Sequence, residues 1–303
     1  MAKIAVELEQ AIAQRRALGA PGSADARVLA KGKNWQVADV VCTSGPQDRR
    51  FEERHNDVSI AVVLAGTFQY RASANGSKSR NELMTPGSLM LGSAGQCFEC
   101  GHEHGMGDRC VSFWYSTEYF KEIASSAGIK NPKAMFPALR VPALREFSPL
   151  IASAALGIGG TSSTLMWEEL SLKLAVLTTQ LVNGVRAWPE ALPSDRARVS
   201  RVLRTIETSP GHDWTLAGMS QQARLSPHHF LRIFEAVAGV TPHQFVLRQR
   251  LREAAIRLMA TPEKILEVAL DCGFGDVSNF NRAFRKEFGA NPRAYRGRSL
   301  AAR

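Results

Sequence analysis

The sequence predicts an α+β protein with an antiparallel β-rich region towards the N-terminus and an all-helical C-terminal third. Three observations predict this fold class. Residues 35–119 contain short apolar runs separated by turn residues, which is typical of a small antiparallel barrel or sandwich. Apolar residues then recur at helical spacing. Finally, two similar helical units lie about fifty residues apart within residues 195–303.

The first predicted elements are a short amphipathic helix and a series of strands. Residues 4–18 place Ile4, Leu8 and Ile12 at helical spacing, and a Gly/Ser/Pro-rich stretch follows at residues 19–23. The next apolar runs are predicted strands because each is short and ends at turn residues. They are residues 58–64, 68–72, 88–91 and 110–115, with turns at 74–77, 85–87 and 101–107.

A long helix is predicted between the β-rich region and the C-terminal third. Residues 165–188 place on one broad face Leu165, Leu172, Ala175, Val176, Leu177, Leu181 and Val185. Such a stripe is typical of core packing, and a helix of this length beside a domain boundary also suits pairing with its copy in a homodimer. Pro189, Pro193 and Ser194 then predict a linker.

The composition excludes several classes of protein. With 45% apolar and 22% charged residues, the chain is not collagen-like, not a coiled coil alone and not intrinsically disordered. The best apolar run, residues 60–66, is far shorter than the ~18 residues that a membrane span needs. Glu7, Glu9, Arg15 and Arg16 interrupt the N-terminal segment, which argues against a signal peptide. We therefore expect a cytoplasmic protein without a membrane partner.

Positive charge is concentrated in the last third of the chain. Residues 195–303 hold 18 lysines and arginines against 10 acidic residues, whereas residues 1–194 hold 20 against 18. Nearly all the cations of the last third are arginines, whose guanidinium pairs bidentately with phosphate oxygens and base edges. The charge alone is compatible with a solvated basic surface or with a phosphate-binding surface.

The first helical unit is predicted from its caps and its apolar spacing. Thr215 suits the N-cap of the first helix, Ser226 suits the N-cap of the second, and Pro227 suits its first helical position. Gly239 ends the second helix. The predicted buried face of that helix carries Phe230, Ile233, Phe234 and Val237.

The second unit repeats this pattern. Thr261 and Pro262 predict the start of its first helix, Gly273 and Phe274 predict a left-handed C-cap, and Asp276 predicts the next N-cap. The predicted buried positions are Ile265, Val268, Ala269, Cys272, Phe280, Ala283, Phe284 and Phe288.

Both units have the organisation of a helix-turn-helix. In each, a tight turn joins two short helices, and the free face of the second helix is polar and basic. Between the units, residues 241–259 predict a spacer helix about 27 Å long at a rise of ~1.5 Å per residue. That length places the two second helices roughly one DNA turn, about 34 Å, apart.

Two stretches of the sequence resemble the AraC/XylS family of bacterial transcription regulators. The linker helix of that family is matched by Gly239, Val240, Thr241, Pro242, Arg250, Leu251, Ala254, Ala255 and Leu258. Its C-terminal signature is matched by Ile265, Val268, Ala269, Cys272, Gly273, Phe274, Phe280, Arg282, Phe284, Arg285, Lys286, Gly289, Pro292, Tyr295 and Arg296. The resemblance covers about 100 residues and implies a regulator whose partners are promoter DNA and RNA polymerase.

The resemblance also implies which side chains meet double-stranded DNA. The expected contacts are Ser226, His228, His229, Leu231, Arg232, Ser278, Asn279, Asn281, Arg282, Arg285 and Lys286. Arg232 and Arg282 suit guanine, and the asparagines suit adenine or phosphate. Leu231 departs from the polar residue that many relatives carry, so it meets either a thymine methyl group or no base. Phe280, Phe284 and Tyr295 are expected in the core.

Residues 35–120 resemble more loosely the cupin-like barrel with which many members of this family sense effectors. This likeness depends on the strand texture and on Pro86-Gly87 before an apolar strand. It implies a small-molecule or metal effector.

Three of the five cysteines lie within 14 residues, and His102 and His104 lie between the second and the third of them. In an intracellular protein such a cluster indicates metal or redox chemistry more than a structural disulfide. If the strand continues, Cys100, His102 and His104 share one of its faces. The candidate metal ligands are Cys97, Cys100, His102, His104 and Cys110, a set that suits Zn²⁺ or another transition metal. No further cofactor is expected.

Two other interpretations of this cluster stay open. A low-pKa thiolate near His102, His104 or Arg109 would instead sense an oxidant or an electrophile. Alternatively, the thiols and imidazoles simply line the barrel. His55 is a further candidate ligand, whereas Cys42 and Cys272 are predicted core residues.

Together these features divide the chain into four parts. They are an N-terminal helix or arm (1–34), a cupin-like sensor barrel (35–125), a helical linker or dimerisation region (126–192) and a DNA-binding domain (195–303). We expect a non-enzymatic regulator in which the effector changes how the barrel packs on the 165–188 helix. A metal-dependent cupin enzyme fused to a DNA-binding module is the main alternative, although the usual carboxylate spacing of cupins is not evident. A DNA-repair methyl acceptor is more remote because the sequence has no Pro-Cys-His-Arg motif.

Overall fold

The computed structural model describes residues 1–73, 79–129, 135–160, 162–182 and 191–300. The strands in these residues are β1 (Ala24–Lys31), β2 (Trp35–Cys42), β3 (Phe51–Arg54), β4 (Val58–Gly66), β5 (Phe68–Ala72), β6 (Arg80–Met84), β7 (Leu89–Gly92), β8 (Cys97–Gly101), β9 (Asp108–Tyr115) and β10 (Arg140–Val141). The helices are α1 (Ala2–Ala17), α2 (Thr117–Ser126), α3 (Ser148–Ile158), α4 (Thr164–Val182), α5 (Pro193–Thr208), α6 (Leu216–Ala223), α7 (Pro227–Ala238), α8 (Pro242–Ala260), α9 (Ile265–Asp271), α10 (Val277–Phe288) and α11 (Pro292–Leu300).

The strands form two antiparallel sheets. The large sheet has the order β1-β2-β9-β4-β7-β10, and the small sheet has the order β3-β8-β5-β6. One apolar cluster draws on both sheets, including Val63 of β4 and Tyr70 of β5. The α+β class is therefore confirmed, and of the two predicted architectures the sandwich is the correct one because the sheets do not close into a barrel.

Strand β4 is buried on both of its faces. Successive side chains of a strand point to opposite sides, so Ile60 and Val62 pack with the helices while Ala61 and Val63 pack between the two sheets. This double burial accounts for the unbroken apolar run at residues 60–65.

Strand β1 lies within the segment that the sequence assigned to an N-terminal arm. It pairs with β2 along its length, from Ala24 opposite Cys42 to Lys31 opposite Gln36. Most of its side chains are exposed, so its sequence carries little of the alternation that marks a half-buried strand. The large sheet therefore begins before the predicted boundary at residue 35.

Helices α1, α3 and α4 pack in the apolar cluster on the outer face of the large sheet. The predicted face of α1 is confirmed, because Ile4, Leu8 and Ile12 are buried. None of the described helices is long and apolar enough to cross a membrane.

The predicted face of α4 is correct in part. Ala175 is buried, and Val176, Leu177 and Leu181 pack half-buried against the core, whereas Leu165 and Leu172 are exposed. The buried stripe also carries Trp167, Leu170, Ser171, Leu174, Thr178, Thr179 and Val182. The large indole of Trp167 packs against Phe113 of β9, with ring centroids 6.4 Å apart, and this contact determines which stripe faces the sheet. Val185, Trp188 and Pro189 lie outside the described residues.

Helices α6–α7 and α9–α10 form the two predicted helix-turn-helix units, and each unit has its own apolar core. Helix α5 packs on the first unit, and α11 packs on α8 and α10. The first helix of the first unit buries Met219 and Ala223, whereas Leu216 is exposed.

Two helix starts differ from the prediction. The linker predicted at Pro193 and Ser194 is the first turn of α5, where proline is tolerated because its missing N–H needs no partner. The segment at Thr261 and Pro262 is not yet helical, and α9 begins at Ile265. Thr261 is extended and ends α8, so Pro262 follows a helix instead of opening one.

Arg250 of α8 joins the two helix-turn-helix units. Its Nε donates to Pro210 O at 2.9 Å, its Nη1 to Gly273 O at 2.8 Å and its Nη2 to His212 O at 2.7 Å. These carbonyls belong to the loop before α6 and to the turn between α9 and α10, so one guanidinium fixes both to α8.

We expect Arg250→Ala to lower the free energy of unfolding by about 2–4 kcal/mol, because it removes three charge-assisted hydrogen bonds. Urea unfolding followed by circular dichroism measures this loss. Arg201→Ala, which removes an exposed arginine of α5, is the matched control and is expected to change stability by less than about 0.5 kcal/mol. Equal effects of the two substitutions would contradict this role of Arg250.

Candidate nucleic-acid interface and sensor pocket

Helix α7 is the second helix of the first unit and is capped at both ends as predicted. The Ser226 hydroxyl accepts from His229 N at 3.4 Å, Pro227 occupies the first turn, and Gly239 ends the helix with a φ of +74°. The caps and the buried face fix the helix so that His228 and Arg232 are exposed.

His229 and Leu231 are less accessible than their neighbours on α7. Both are half-buried, and Leu231 lines a crevice with Trp214, Pro242 and Val246. The crevice lies between α7 and the start of α8, which explains why an apolar residue is stable at this position.

Helix α10 is the corresponding helix of the second unit. Its N-cap is Asp276, whose carboxylate accepts from Asn279 N at 2.7 Å. Phe280, Phe284 and Phe288 are buried, and Tyr295 packs on Phe284 with ring centroids 5.3 Å apart, so these aromatic residues belong to the core as predicted. The exposed side carries Ser278, Asn279, Asn281, Arg282, Arg285 and Lys286.

The cationic side chains on α7 and α10 are free to meet an anion. No described carboxylate lies within ion-pair distance of Arg232, Arg282, Arg285 or Lys286. Arg282, Arg285 and Lys286 also line an open groove that continues to Asn291 and Arg293 at the start of α11. A groove with exposed guanidinium and amide groups suits phosphate oxygens and base edges.

The second candidate site is a cavity of about 620 Å³ in the β-sandwich. Residues of both sheets line it, including Cys42 of β2, Cys100 of β8 and Cys110 of β9. A cavity of this size suits a small ligand.

Three side chains in this cavity form a group with metal-ligand chemistry. The Cys42 Sγ, a ring nitrogen of His102 and a carboxylate oxygen of Asp108 all lie within 4.8 Å of one another. His102 Nε2 is 2.8 Å from Asp108 Oδ1, and Cys110 Sγ donates to Asp108 Oδ2 at 3.3 Å. Cys42 was predicted to be a core residue, and that prediction is wrong because its thiol faces the cavity.

Two of the predicted metal ligands lie elsewhere. Cys97 is exposed because it has the opposite strand parity to Cys100. His104 lies in a separate cavity beside Ser200 and Glu207 of α5, because β8 ends at Gly101 and the strand alternation ends there. The prediction that Cys100, His102 and His104 share one face therefore fails at His104.

His55 also lies apart from the group around Asp108. Its Nε2 is 2.8 Å from the Tyr70 hydroxyl, and its ring stacks on Phe98 with a centroid distance of 4.1 Å. Burial lowers the pKa of His55 to about 4, so the imidazole is neutral at pH 7.

The thiols of the cavity do not have the low pKa that a thiolate sensor needs. Burial, and after it the nearby Asp108 carboxylate, raises the pKa of Cys42 to about 11. The same two causes raise the pKa of Cys100 and of Cys110 well above the usual value. Arg109, which one of the open interpretations placed beside such a thiolate, pairs with Asp39 and Glu7.

Charged groups join the β-rich half to the helix-turn-helix units. The N-terminal ammonium of Met1 donates to Glu253 Oε2 on α8 at 2.7 Å. Arg204 of α5 pairs with both carboxylate oxygens of Glu9 on α1, at 2.7 and 2.6 Å.

The buried Arg140 of β10 contacts helix α7 directly. Its Nη1 donates to Val237 O at 2.6 Å, near the C-terminal end of α7, and to Leu83 O at 3.1 Å. A cation suits this position because the carbonyl end of a helix carries partial negative charge.

Arg252 of α8 is fully buried against the β-rich half. Its Nε donates to Ser148 Oγ at 3.1 Å, while Nη1 and Nη2 have no acceptor among the described residues. Burial lowers its pKa to about 10. The turn at Gly87, with a φ of +84°, lies directly on this guanidinium, and a Cβ at residue 87 would overlap it.

Glu207 of α5 carries a buried carboxyl group at the same interface. It accepts from Gly66 N at 3.0 Å, at the end of β4. Burial raises the pKa of Glu207 to about 8, and neighbouring Arg204 and Glu9 act on it in opposite directions. His104 lines the same small cavity.

Comparison with known proteins shows that the C-terminal region is similar to one family of domains. The helix-turn-helix domain family matches residues 219–298, from α6 into α11. A transcriptional regulator from Neisseria gonorrhoeae, MtrA, is 27% identical over 209 residues, which are 65% of this chain and 65% of that protein. An activator from Escherichia coli described as RCS-specific, RclR, is 32% identical over 131 residues, which are 41% of this chain and 46% of that protein.

A solved structure of the DNA-binding domain of AdpA in complex with a target DNA is 26% identical, covering 35% of this chain and 96% of that domain at a TM-score of 0.34. The matched segments span less than two thirds of the two curated relatives. The helical third of this chain is thus a helix-turn-helix domain. Over residues 219–298 it is similar to the helix-turn-helix domains of transcription regulators such as MtrA and RclR.

Glu207→Gln is expected to change how the stability of the protein depends on pH. The folded state holds the Glu207 proton up to about pH 8, whereas the unfolded chain releases it near the usual value of about 4.3. The free energy of unfolding therefore falls between these two pH values as ionisation becomes favourable only in the unfolded state. Glutamine keeps an acceptor for Gly66 N and cannot ionise.

We therefore expect the wild-type protein to lose more stability than Glu207→Gln between pH 5 and pH 8.5. The difference should reach a few kcal/mol, since one pKa unit corresponds to about 1.4 kcal/mol. Urea unfolding at the two pH values measures it. Parallel losses in the two proteins would show that Glu207 is already ionised in the folded state.

Proposed function

We propose that this chain is a sequence-specific DNA-binding transcription regulator whose β-rich half senses an effector. The observation that carries the proposal is the pair of capped helices, α7 and α10, which expose cations and amides at the two ends of α8. The match of residues 219–298 to the helix-turn-helix domain family supports it. The proposed DNA contacts are Ser226, His228, His229, Leu231, Arg232, Ser278, Asn279, Asn281, Arg282, Arg285 and Lys286.

The length of α8 supports simultaneous binding of both units. Its 19 residues extend about 28 Å at ~1.5 Å per residue, which is close to one turn of DNA at about 34 Å. Both second helices then enter neighbouring segments of the major groove on one face of the duplex.

The exposed side chains have the chemistry of direct base recognition. Arg232 and Arg282 suit the O6 and N7 acceptors of guanine, and Asn281 suits adenine. Arg285 and Lys286 lie on the same face of α10 and suit the phosphates beside the recognised bases. Because Leu231 is partly covered in its crevice, we propose that it contributes less to base recognition than Arg232.

We propose activation of transcription from promoter DNA, with RNA polymerase as a partner. RclR of Escherichia coli and RhaR of Mannheimia succiniciproducens, which are similar to this chain, are both described as transcriptional activators. The absence of a membrane-spanning helix among the described residues is compatible with a cytoplasmic regulator, and we propose that location.

The effector is proposed to act through the contacts between the sandwich and the helix-turn-helix units. The sequence placed this coupling on the helix at residues 165–188. Direct hydrogen bonds instead come from Arg140 to α7, from Gly66 to α5 and from the N-terminal ammonium to α8. A ligand in the 620 Å³ cavity would shift these contacts. We further propose a homodimer, supported by Leu165 and Leu172 on the exposed side of α4.

Arg282→Ala tests base recognition. The wild-type protein first selects a DNA duplex from a random-sequence library. The affinity of each protein for that duplex is then measured by fluorescence anisotropy. Losing a bidentate arginine–guanine contact should weaken binding by about 5–150-fold and relax the preference at one base pair. Lys3→Ala, which removes one charge from the exposed face of α1, is the matched control and should leave affinity unchanged.

The proposal fails if the wild-type protein selects no sequence or if Arg282→Ala and Lys3→Ala bind equally well.

Lys286→Ala tests a phosphate contact. We expect affinity to fall by a similar factor on all sequences, because a phosphate contact carries no base information. The slope of log affinity against log salt concentration should become shallower by about 0.9. An unchanged slope would exclude Lys286 from the phosphate contacts.

A further inference from the structure

We infer that the sandwich binds one divalent d-block cation of the Zn²⁺ class on Cys42, His102 and Asp108, with Cys110 supplying a fourth ligand. The binding site is argued from its own geometry. Only the role of the cation as the effector depends on the proposed regulatory function.

The two sheets together bring these ligands to one place. Cys42 ends β2 and Asp108 begins β9, and the two residues are directly opposite each other in the β2–β9 register. His102 follows β8 of the small sheet and reaches them from the other side of the cavity. Ligands more than sixty positions apart in sequence therefore meet because of strand pairing.

The spacing of the ligand atoms is close to that of a tetrahedral centre. Metal–ligand distances of about 2.0–2.3 Å imply ligand atoms roughly 3.3–3.8 Å apart. Cys42, His102 and Asp108 place theirs within 4.8 Å, and the Cys110 Sγ lies 3.3 Å from the Asp108 carboxylate. Small side-chain rotations would close the remaining gap among Cys42, His102 and Asp108, and Cys110, which lies outside that group of three, would rotate further.

The donor set favours a borderline-soft cation. Two thiolates, an imidazole and a carboxylate together suit Zn²⁺, whereas Mg²⁺ and Ca²⁺ prefer all-oxygen sites. The side chains of His102, Asp108 and Cys110 are buried, so a bound ion would be held away from bulk water.

The local charge also favours a cation. The Asp108 carboxylate is buried, with the Cys110 thiol 3.3 Å from it and the Cys42 thiol in the same group of candidate ligand atoms. The neighbouring Arg109 is held by Asp39 and Glu7 and does not neutralise it. A divalent ion would do so, with release of the thiol protons.

The proposed metal site lies beside the contact between the sandwich and helix α5. Asp108 pairs with Gly66 in the β4–β9 ladder, and Gly66 N donates to Glu207 of α5. Glycine is required at residue 66 because its φ is +76° and a Cβ there would overlap Gly107 O. A ligand that moves Asp108 therefore moves a tightly packed turn against α5.

The test uses the full-length protein, stripped with a chelator and kept reduced, and titrated with ZnCl₂ alone by calorimetry. We expect one equivalent to bind with release of protons. Replacing Zn²⁺ by Co²⁺ should produce thiolate-to-metal charge-transfer absorption, together with d–d bands that have the intensity of a tetrahedral site. This spectrum needs no variant and so does not depend on the folding of a mutant.

Matched substitutions locate the site. Cys42→Ser and His102→Ala should weaken Zn²⁺ binding at least tenfold, whereas Cys97→Ser and His104→Ala make the same chemical changes outside the cluster and should not. Asp108→Asn should also weaken binding, with circular dichroism confirming the fold. Absence of stoichiometric binding, a Co²⁺ spectrum without thiolate bands, or equal loss in the control pair would each overturn the inference.

DNA binding by the same preparations separates this inference from the proposed function. A protein that binds its selected duplex but no Zn²⁺ overturns the metal site alone, and one that binds Zn²⁺ but no duplex overturns the regulator alone. If the cation is the effector, saturating Zn²⁺ should change affinity for the duplex at least threefold, and Cys42→Ser should abolish that change. An unchanged affinity overturns the effector role.

Discussion

Helix α8 has to satisfy three neighbours at once, and this constraint determines how the rest of the molecule is arranged. Phe245 and Val246 complete the core of the first helix-turn-helix unit, while Leu251, Ala255 and others complete the core of the second. Its remaining side packs on α3, where Arg252 is buried. Because one rigid helix contributes to all three contacts, any change in its position is felt by both units and by the sandwich.

The pairing of β2 with β9 has a comparable effect in the sandwich. It places Cys42 opposite Asp108, and from Asp108 the next strand leads to Gly66 and Glu207. A ligand cavity and a domain contact thus share the same end of one sheet. The chain needs no separate element to carry a signal between them, because the ladder of backbone hydrogen bonds already joins them.

The helical third could be predicted closely because its signals are local. Ser226, Asp276 and Gly273 act within a few residues of their own positions, and the apolar spacing of each helix is visible in one window. Register and packing are not local. Cys42 could not be assigned to the cavity without knowing the partner of β2, and the buried face of α4 depends on where Trp167 meets the sheet. His104 was misplaced because the strand ends three residues earlier, at Gly101.

The packing of the β-rich half on helix α8 has an energetic cost at the turn around Gly87. It covers the Arg252 guanidinium, whose two terminal nitrogens lack acceptors among the described residues, and Glu207 is buried at the same boundary. Separation of the two halves would return both groups to water, which partly offsets the apolar contacts that hold the halves together. The free-energy difference between the packed and separated arrangements is therefore smaller than the apolar contacts alone would make it. A ligand that prefers one arrangement has only this reduced difference to overcome.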